Sequence, residues 1–399
     1  MHRRTESFLR LLAVWIERSL TYALDVANLP MAKLILLVPV PDFEDQSLAI
    51  AIEAKKRGIP IAILTTSKVL PASWIKHGLS PRLVKRNSFL DIYYSKRARF
   101  IIFTAGYFWS AHPRKQQVVL NVWHGTPLKK VGIEIERPVP GSTDVVVAGN
   151  SALPLVKRMY QADEFPTIHM TGLPRNDFLI GHDRWTGESI KRVLWMPTYR
   201  IGYMDYLAST RTIDETTSGI DNTLPMSEQL FSDYADQGKF QIDGAQTQNG
   251  LGLTTSELIH MDTLLQKSNV VLDLKPHPLA FIDLPDSLTN INFLKYSSDS
   301  ESLYESFKSY DGFMTDYSSV SLDWALLGRP IFLFCPDFND YADTRGFFIR
   351  PHEALEIPLL TSVETLLNAI NHPAEFVPKQ NIINEWNSNV EGNASAKIL

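Results

Sequence analysis

The chain has 399 residues and a mass of 45.2 kDa, more than one hydrophobic core ordinarily serves, and its 44% hydrophobic content excludes a disordered polymer. Its 39 basic and 44 acidic residues leave a net charge of −5, which excludes a nucleic-acid binder working through bulk positive charge. A single cysteine, Cys335, excludes an intrachain disulfide and a cysteine-based zinc site.

In chain order, the first predicted element is an amphipathic helix within residues 1–30. Phe8, Leu11, Leu12, Trp15, Ser19 and Tyr22 recur every three or four positions, leaving Arg3, Arg10, Glu17 and Arg18 to the other face. These charges interrupt the apolar run before the roughly 20 residues that span a bilayer. No small-residue cleavage site directly follows, so the helix is expected to be retained, packed on its own domain or laid in a membrane interface. Between Arg82 and Arg99, six basic residues (Arg82, Lys85, Arg86, Lys96, Arg97, Arg99) stand against Asp91 alone. They read as a solvated helix face or a patch for anionic head groups.

From Lys33 onward, short aliphatic runs alternate with helical patterns, the mark of parallel sheets covered by helices. Strands are expected at 33–40, 60–66, 99–104, 118–123, 144–148 and 167–171, with helices at 45–57 and 152–161. A second series has strands at 192–196, 269–274, 291–294, 311–314 and 330–334, with helices near 255–267, 320–327 and 362–370. The class is α/β: a GT-B-like pair of doubly wound Rossmann-like domains facing a cleft. The expected division is residues 31–180, residues 181–375, and a C-terminal tail or helix over 376–399. Residues 201–256 break the pattern with eight acids, two bases and little periodicity, and are expected to be a lid over the cleft or a disordered insertion.

The polar motifs fall at strand ends, where open parallel sheets hold their ligands. Trp123-His124-Gly125-Thr126-Pro127-Leu128-Lys129-Lys130 puts an imidazole at the end of a strand, followed by a polar, anion-facing loop. His124 is suited to accept a proton from an attacking hydroxyl. Asp273-Leu274-Lys275-Pro276-His277 places a second imidazole beside Lys275, where it can stabilise charge on a phosphoryl group. Thr315-Asp316-Tyr317-Ser318-Ser319 is a strand-to-helix junction that can cradle phosphate or simply cap its helix. Arg345 and Arg200 are further candidate phosphate contacts, and Arg175, Asn176 and Asp177 supply polar groups near the domain junction. Walker A, strand-linked G-x-G-x-x-G, H-E-x-x-H and G-x-S-x-G patterns are absent, and no two histidines have metal-ligand spacing on a helix.

Together WHGTPLKKVG, GLPRND, MPTYR, LKPHP, TDYSSVSLDWALLGRPIFLF and DTRGFF, in this order from about Asn121 to Phe348, resemble the CDP-glycerol glycerophosphotransferase family of teichoic-acid and capsule synthesis. The resemblance implies a GT-B fold, a CDP-glycerol or related CDP-polyol donor, and a lipid-linked or oligosaccharide acceptor. It also implies work at the inner-leaflet surface of the cell membrane, from the cytoplasmic side. It puts the catalytic base on His124 and His277 at the donor phosphates. Gly125, Thr126, Arg200, Lys275, Thr315, Asp316, Ser318, Ser319 and Arg345 are the expected donor side; Lys129, Arg175, Asn176 and Asp177 are the expected acceptor side or junction. No tightly bound cofactor, no protein-held metal and no nucleic acid are expected, magnesium entering at most with the donor. The alternatives are a GT-B glycosyltransferase using a nucleotide-sugar and a non-enzymatic membrane-associated scaffold. Within the family, the modest length favours a primase over a polymerase.

Overall fold

The computed structural model describes residues 19, 22–23, 29–105, 113–135, 139, 141–160, 165–198, 251–277, 282, 284–294, 302–388 and 390–399. Nearly all of the expected N-terminal helix, Arg200 and the acidic stretch as far as residue 250 lie outside these residues.

Strands β1 (Ala32–Val38), β2 (Ile61–Thr65), β3 (Arg82–Lys85), β4 (Ala98–Phe103), β5 (Val118–Asn121), β6 (Asp144–Val146) and β7 (Thr167–His169) form one sheet in the order β3-β2-β1-β4-β5-β6-β7. Strands β8 (Arg192–Met196), β9 (Val271–Leu274), β10 (Ile291–Phe293), β11 (Gly312–Thr315), β12 (Ile331–Phe334) and β13 (Leu359–Leu360) form the other, ordered β10-β9-β8-β11-β12-β13. Every pairing is parallel. The central strands are therefore continuous apolar runs, Ile35–Val38 and Ile331–Phe334 being buried throughout, because helices cover both faces. In each sheet the strand order reverses beside the first strand, between β1 and β4 and between β8 and β11. The crevices beyond the carboxyl ends of those strands are where such sheets take ligands.

Local chemistry sets the helix starts that matter for these crevices. Glu44 caps the helix Asp45–Lys56 by accepting from Gln46 N and Ser47 N, both at 2.7 Å. Thr254 and Glu257 form a capping box at the start of Thr255–Lys267. Residues 255–256 thus open this helix, and Leu251 and Leu253 in the turn before it are buried in the second sheet's core.

One buried apolar cluster runs through both halves, joining Ile35, Leu37 and Leu120 to Leu194, Phe313, Trp324 and Leu333. The C-terminal segment closes the joint from outside. After the helix Gln380–Trp386, Ser388 N donates to Ala148 O at 2.8 Å, and Asp177 caps the helix Ala394–Ile398 by accepting from Ala394 N and Ser395 N at 2.8 and 2.9 Å. Gly149 is what lets the chain come so close, since a Cβ there would stand 2.4 Å from the Trp386 carbonyl carbon.

Two strands escape the sequence reading: β3, hidden among charged residues, and the two-residue β13. The expectation of a single basic helix face over 82–99 is corrected as well. The run is a strand and a helix; Lys96 is buried, Arg86 bonds to Asp42 and the Pro39 carbonyl, and Arg97 bonds to Tyr93. Only Arg82, Lys85 and Arg99 of the six remain exposed. Among the described residues, no helix is long and apolar enough to cross a membrane.

Candidate active site

The site is built outward from the end of β5. Asn121 Oδ1 accepts from Trp123 N at 2.9 Å, and Gln46 Nε2 donates to Trp123 O at 3.2 Å. Between them they hold Trp123 at φ 54°, a left-handed conformation that a bulky residue adopts only when its surroundings enforce it. The chain therefore turns sharply and delivers His124 to the cleft, its ring 4.6 Å from the indole. His124 is exposed to solvent at the cleft, although many protein atoms lie around it. The backbone of Thr104, just beyond β4, favours the protonated ring and so works against that burial.

The second imidazole comes from the other sheet. His277 follows β9, with Lys275 two residues earlier anchored through its own N–H to Trp195 O at 2.8 Å. Desolvation, then Arg175 and Lys129, bring His124 down to about 4. Desolvation, then Lys129, Lys275 and His124, bring His277 down to about 4 as well. Burial also lowers Lys275, opposed by the carboxylate of Asp45. The cleft thus gathers cations around two neutral imidazoles that feel one another.

Beneath this surface lies a buried joint between the halves. Arg175 Nε and Nη2 donate to Asp323 Oδ2 at 3.1 and 2.6 Å, and Nη1 donates to the His124 carbonyl at 3.0 Å. Asp323 also accepts from the Tyr304 hydroxyl at 2.6 Å and from Asn176 Nδ2 at 3.3 Å, while the Tyr304 ring lies under the guanidinium. Burial works against the Arg175 charge; Asp323 and Tyr304 more than offset it, so the proton is held more tightly than usual. Gly125 permits the approach. With φ 142°, a Cβ there would stand 2.6 Å from Ser319 Oγ and 3.0 Å from Arg175 Nη2.

A second seam joins the motifs nearby. Lys129 bridges Phe347 in antiparallel fashion, Phe348 N donates to Leu128 O at 2.8 Å, and Arg345 Nη1 donates to Lys130 O at 2.9 Å. The expected residues therefore divide. His124, Gly125, Lys129, Lys275, His277 and Ser319 meet at the cleft, Thr126 is buried in the loop, and Ser318 accepts from Val320 N at 3.4 Å in the turn before its helix.

Thr315 and Asp316 are bonded into the framework. Thr315 Oγ1 donates to Met196 O at 2.6 Å, and both Asp316 oxygens accept from Thr198 N at 3.0 Å, which ties β11 to β8. Arg175, Asn176 and Asp177 stand at the junction, and their hydrogen bonds run inside the protein. Sequence reading missed Glu44, Asp45, Gln46, Thr104, Tyr304 and Asp323. Asp45 accepts from Tyr304 N at 3.1 Å, and burial first of all raises it and raises Glu44 to about 7. In sequence, Glu44 and Asp45 look like ordinary helix-start acids. Among the described residues, no group of three or more His, Cys, Asp or Glu is arranged to hold a metal ion.

A family model described as CDP-Glycerol:Poly(glycerophosphate) glycerophosphotransferase matches residues 27–399. A teichoic acid ribitol-phosphate primase of Bacillus spizizenii is 23% identical over 329 residues, 78% of this chain and 76% of that protein. A teichoic acid glycerol-phosphate primase of Bacillus subtilis is 24% identical over 314 residues, 75% of this chain and 72% of that protein. The solved wall teichoic acid polymerase TagF shares the fold, with a TM-score of 0.66 at 20% identity over 100% of this chain and 95% of that one.

Both cleft imidazoles are expected to be neutral at pH 7 and to take protons only as the pH falls toward about 4. Histidine-selective NMR titration checks this; midpoints near the ordinary 6.5 for His124 and His277 would contradict the crowded, cationic cleft.

Proposed function

The chain belongs to the CDP-glycerol:poly(glycerophosphate) glycerophosphotransferase family, and we propose that it transfers glycerol phosphate from CDP-glycerol to a hydroxyl of a lipid-linked or glycan acceptor, releasing CMP, in teichoic-acid or capsule assembly. The observation that carries the reading is the meeting of two histidines, His124 beyond β5 of one sheet and His277 beyond β9 of the other, with Lys129 and Lys275 beside them. A neutral imidazole is the form that can act as a base.

In this reading His124 takes the proton of the acceptor hydroxyl as its oxygen attacks the glycerol-linked phosphorus. The new P–O bond forms as the P–O bond to CMP breaks, and CMP carries away the electron pair. Phosphoryl transfer demands alignment and charge neutralisation more than covalent help from the protein. Lys129, Lys275 and His277 are the groups near which the diphosphate charge would be offset, and any magnesium would arrive with the donor. Donor charge beside His277 would raise its proton affinity, so that the ring can carry a proton to give to the departing phosphate.

The acceptor and the membrane belong to the same proposal. Phe89, Leu90 and Phe100 are exposed in the segment that also exposes Arg82, Lys85 and Arg99, which supports an approach to anionic lipid at the cytoplasmic face.

With CDP-glycerol, CDP-ribitol and UDP-sugars compared, CMP release from CDP-glycerol that depends on added acceptor is the expected result. Silence with both CDP donors alongside turnover of a UDP-sugar would move the function to glycosyl transfer. For the membrane arm, the triple variant Arg82→Glu, Lys85→Glu, Arg99→Glu is expected to weaken sedimentation with anionic vesicles while turnover on a soluble acceptor persists; unchanged sedimentation would remove that part of the proposal.

A further inference from the structure

We propose that Arg175 and Asp323 are positioning residues, a charge couple through which the donor half sets where His124 stands against the Ser318–Ser319 turn. Asp323 lies in the short helix Val320–Trp324 that follows this turn. Arg175 lies in the 3-10 helix Pro174–Leu179, on the other side of the joint. The guanidinium reaches both ways, with a fork to Asp323 and its remaining terminal nitrogen on the His124 carbonyl at 3.0 Å.

Three independent contacts make this a linkage rather than a chance neighbour. Gln46 Oε1 accepts from Arg175 N at 3.0 Å while its Nε2 donates to Trp123 O, so the backbone of Arg175 and the strained turn before His124 share one buried side chain. Gly125 leaves room for both Ser319 Oγ and Arg175 Nη2 where a side chain would stand. The Tyr304 hydroxyl bonds the same Asp323 oxygen from the donor half, and Asn176, next to Arg175, takes the other oxygen, so both carboxylate oxygens are held. A movement of the Asp323 helix is therefore transmitted through a rigid planar fork to the peptide of His124. Lysine, with a flexible stem and no fork, would not transmit it.

The couple also shapes the field at His124. The charged and titratable groups around that ring are Arg175 and Lys129, with His277 across the cleft and Lys275 beside His277. Glu44 and Asp45 act on Arg175. Removing the Arg175 cation should ease protonation of His124; removing the Asp323 anion, which partly cancels that cation, should make it harder.

The test uses the full chain with Arg175→Gln, Arg175→Lys and Asp323→Asn. Histidine-selective NMR, with His124 assigned through His124→Gln, reads the imidazole, and CMP release from CDP-glycerol reads turnover per folded molecule. The expected pattern is a His124 midpoint moved to higher pH in Arg175→Gln, to lower pH in Asp323→Asn and little in Arg175→Lys. All three variants should lose turnover by about 10²-fold with donor KM little changed. Asp323→Asn leaves a buried guanidinium unpaired and can fail to fold; the two Arg175 variants then decide the matter alone. A His124 midpoint that is the same in Arg175→Gln as in the wild type, or wild-type turnover in Arg175→Lys, overturns the proposal. The turnover arm rests on the transferase reading. If the wild type releases no CMP, that reading fails by itself, while the NMR arm still decides the couple.

Discussion

The buried pair of Arg175 with Asp323 is the constraint on which the rest of the site depends. With exposures of 7% and 1%, both residues have given up water, and desolvation of that kind offsets much of the Coulomb attraction. The pair is therefore better understood as fixing geometry than as adding stability. It fastens the loop that carries His124 to the helix after the Thr315–Ser319 junction, and it does so with directional bonds on every side. Around it, the continuous apolar cluster, the Lys129–Phe347 bridge and the returning C-terminal helices hold the halves in one arrangement.

What that arrangement presents to the cleft is electrostatically one-sided. Burial first, then Arg175 and Lys129 on His124 and Lys129 and Lys275 on His277, holds the proton affinity of both imidazoles down. A diphosphate is the kind of ligand that relieves this, and its arrival would leave one imidazole able to accept a proton and the other better able to donate one. A carboxylate pair would do the reverse and repel the donor. The acids of the neighbourhood, Glu44 and Asp45, accept backbone N–H bonds at the start of one helix and at Tyr304.

The sequence carried the architecture well, because the parallel strands bury both faces and read as uninterrupted aliphatic runs such as Ile331–Phe334. It also carried His124 and His277, since an imidazole between a strand and a Gly- or Pro-containing turn has few structural uses. It failed where a residue's role comes from a distant partner. Asp316 looks like a helix cap and instead binds Thr198 N, 118 positions away. Asp323 looks like the polar face of a helix and instead meets Arg175, 148 positions away. Lys96 and Arg86 look like surface charge, and only the fold reveals that one is buried and the other bonded to Asp42. Periodicity reports which face is apolar; it says nothing about which polar groups meet across a joint.

The most direct test of the account puts donor binding and turnover side by side in His124→Ala. Calorimetry with CDP-glycerol should find binding close to that of the wild type, because His124 acts on the acceptor's proton. Acceptor-dependent CMP release should fall by about 10²–10⁴-fold, the range over which a positioned base contributes. Turnover near the wild-type rate, or lost donor binding with turnover otherwise intact, would contradict the assignment of His124 as the base.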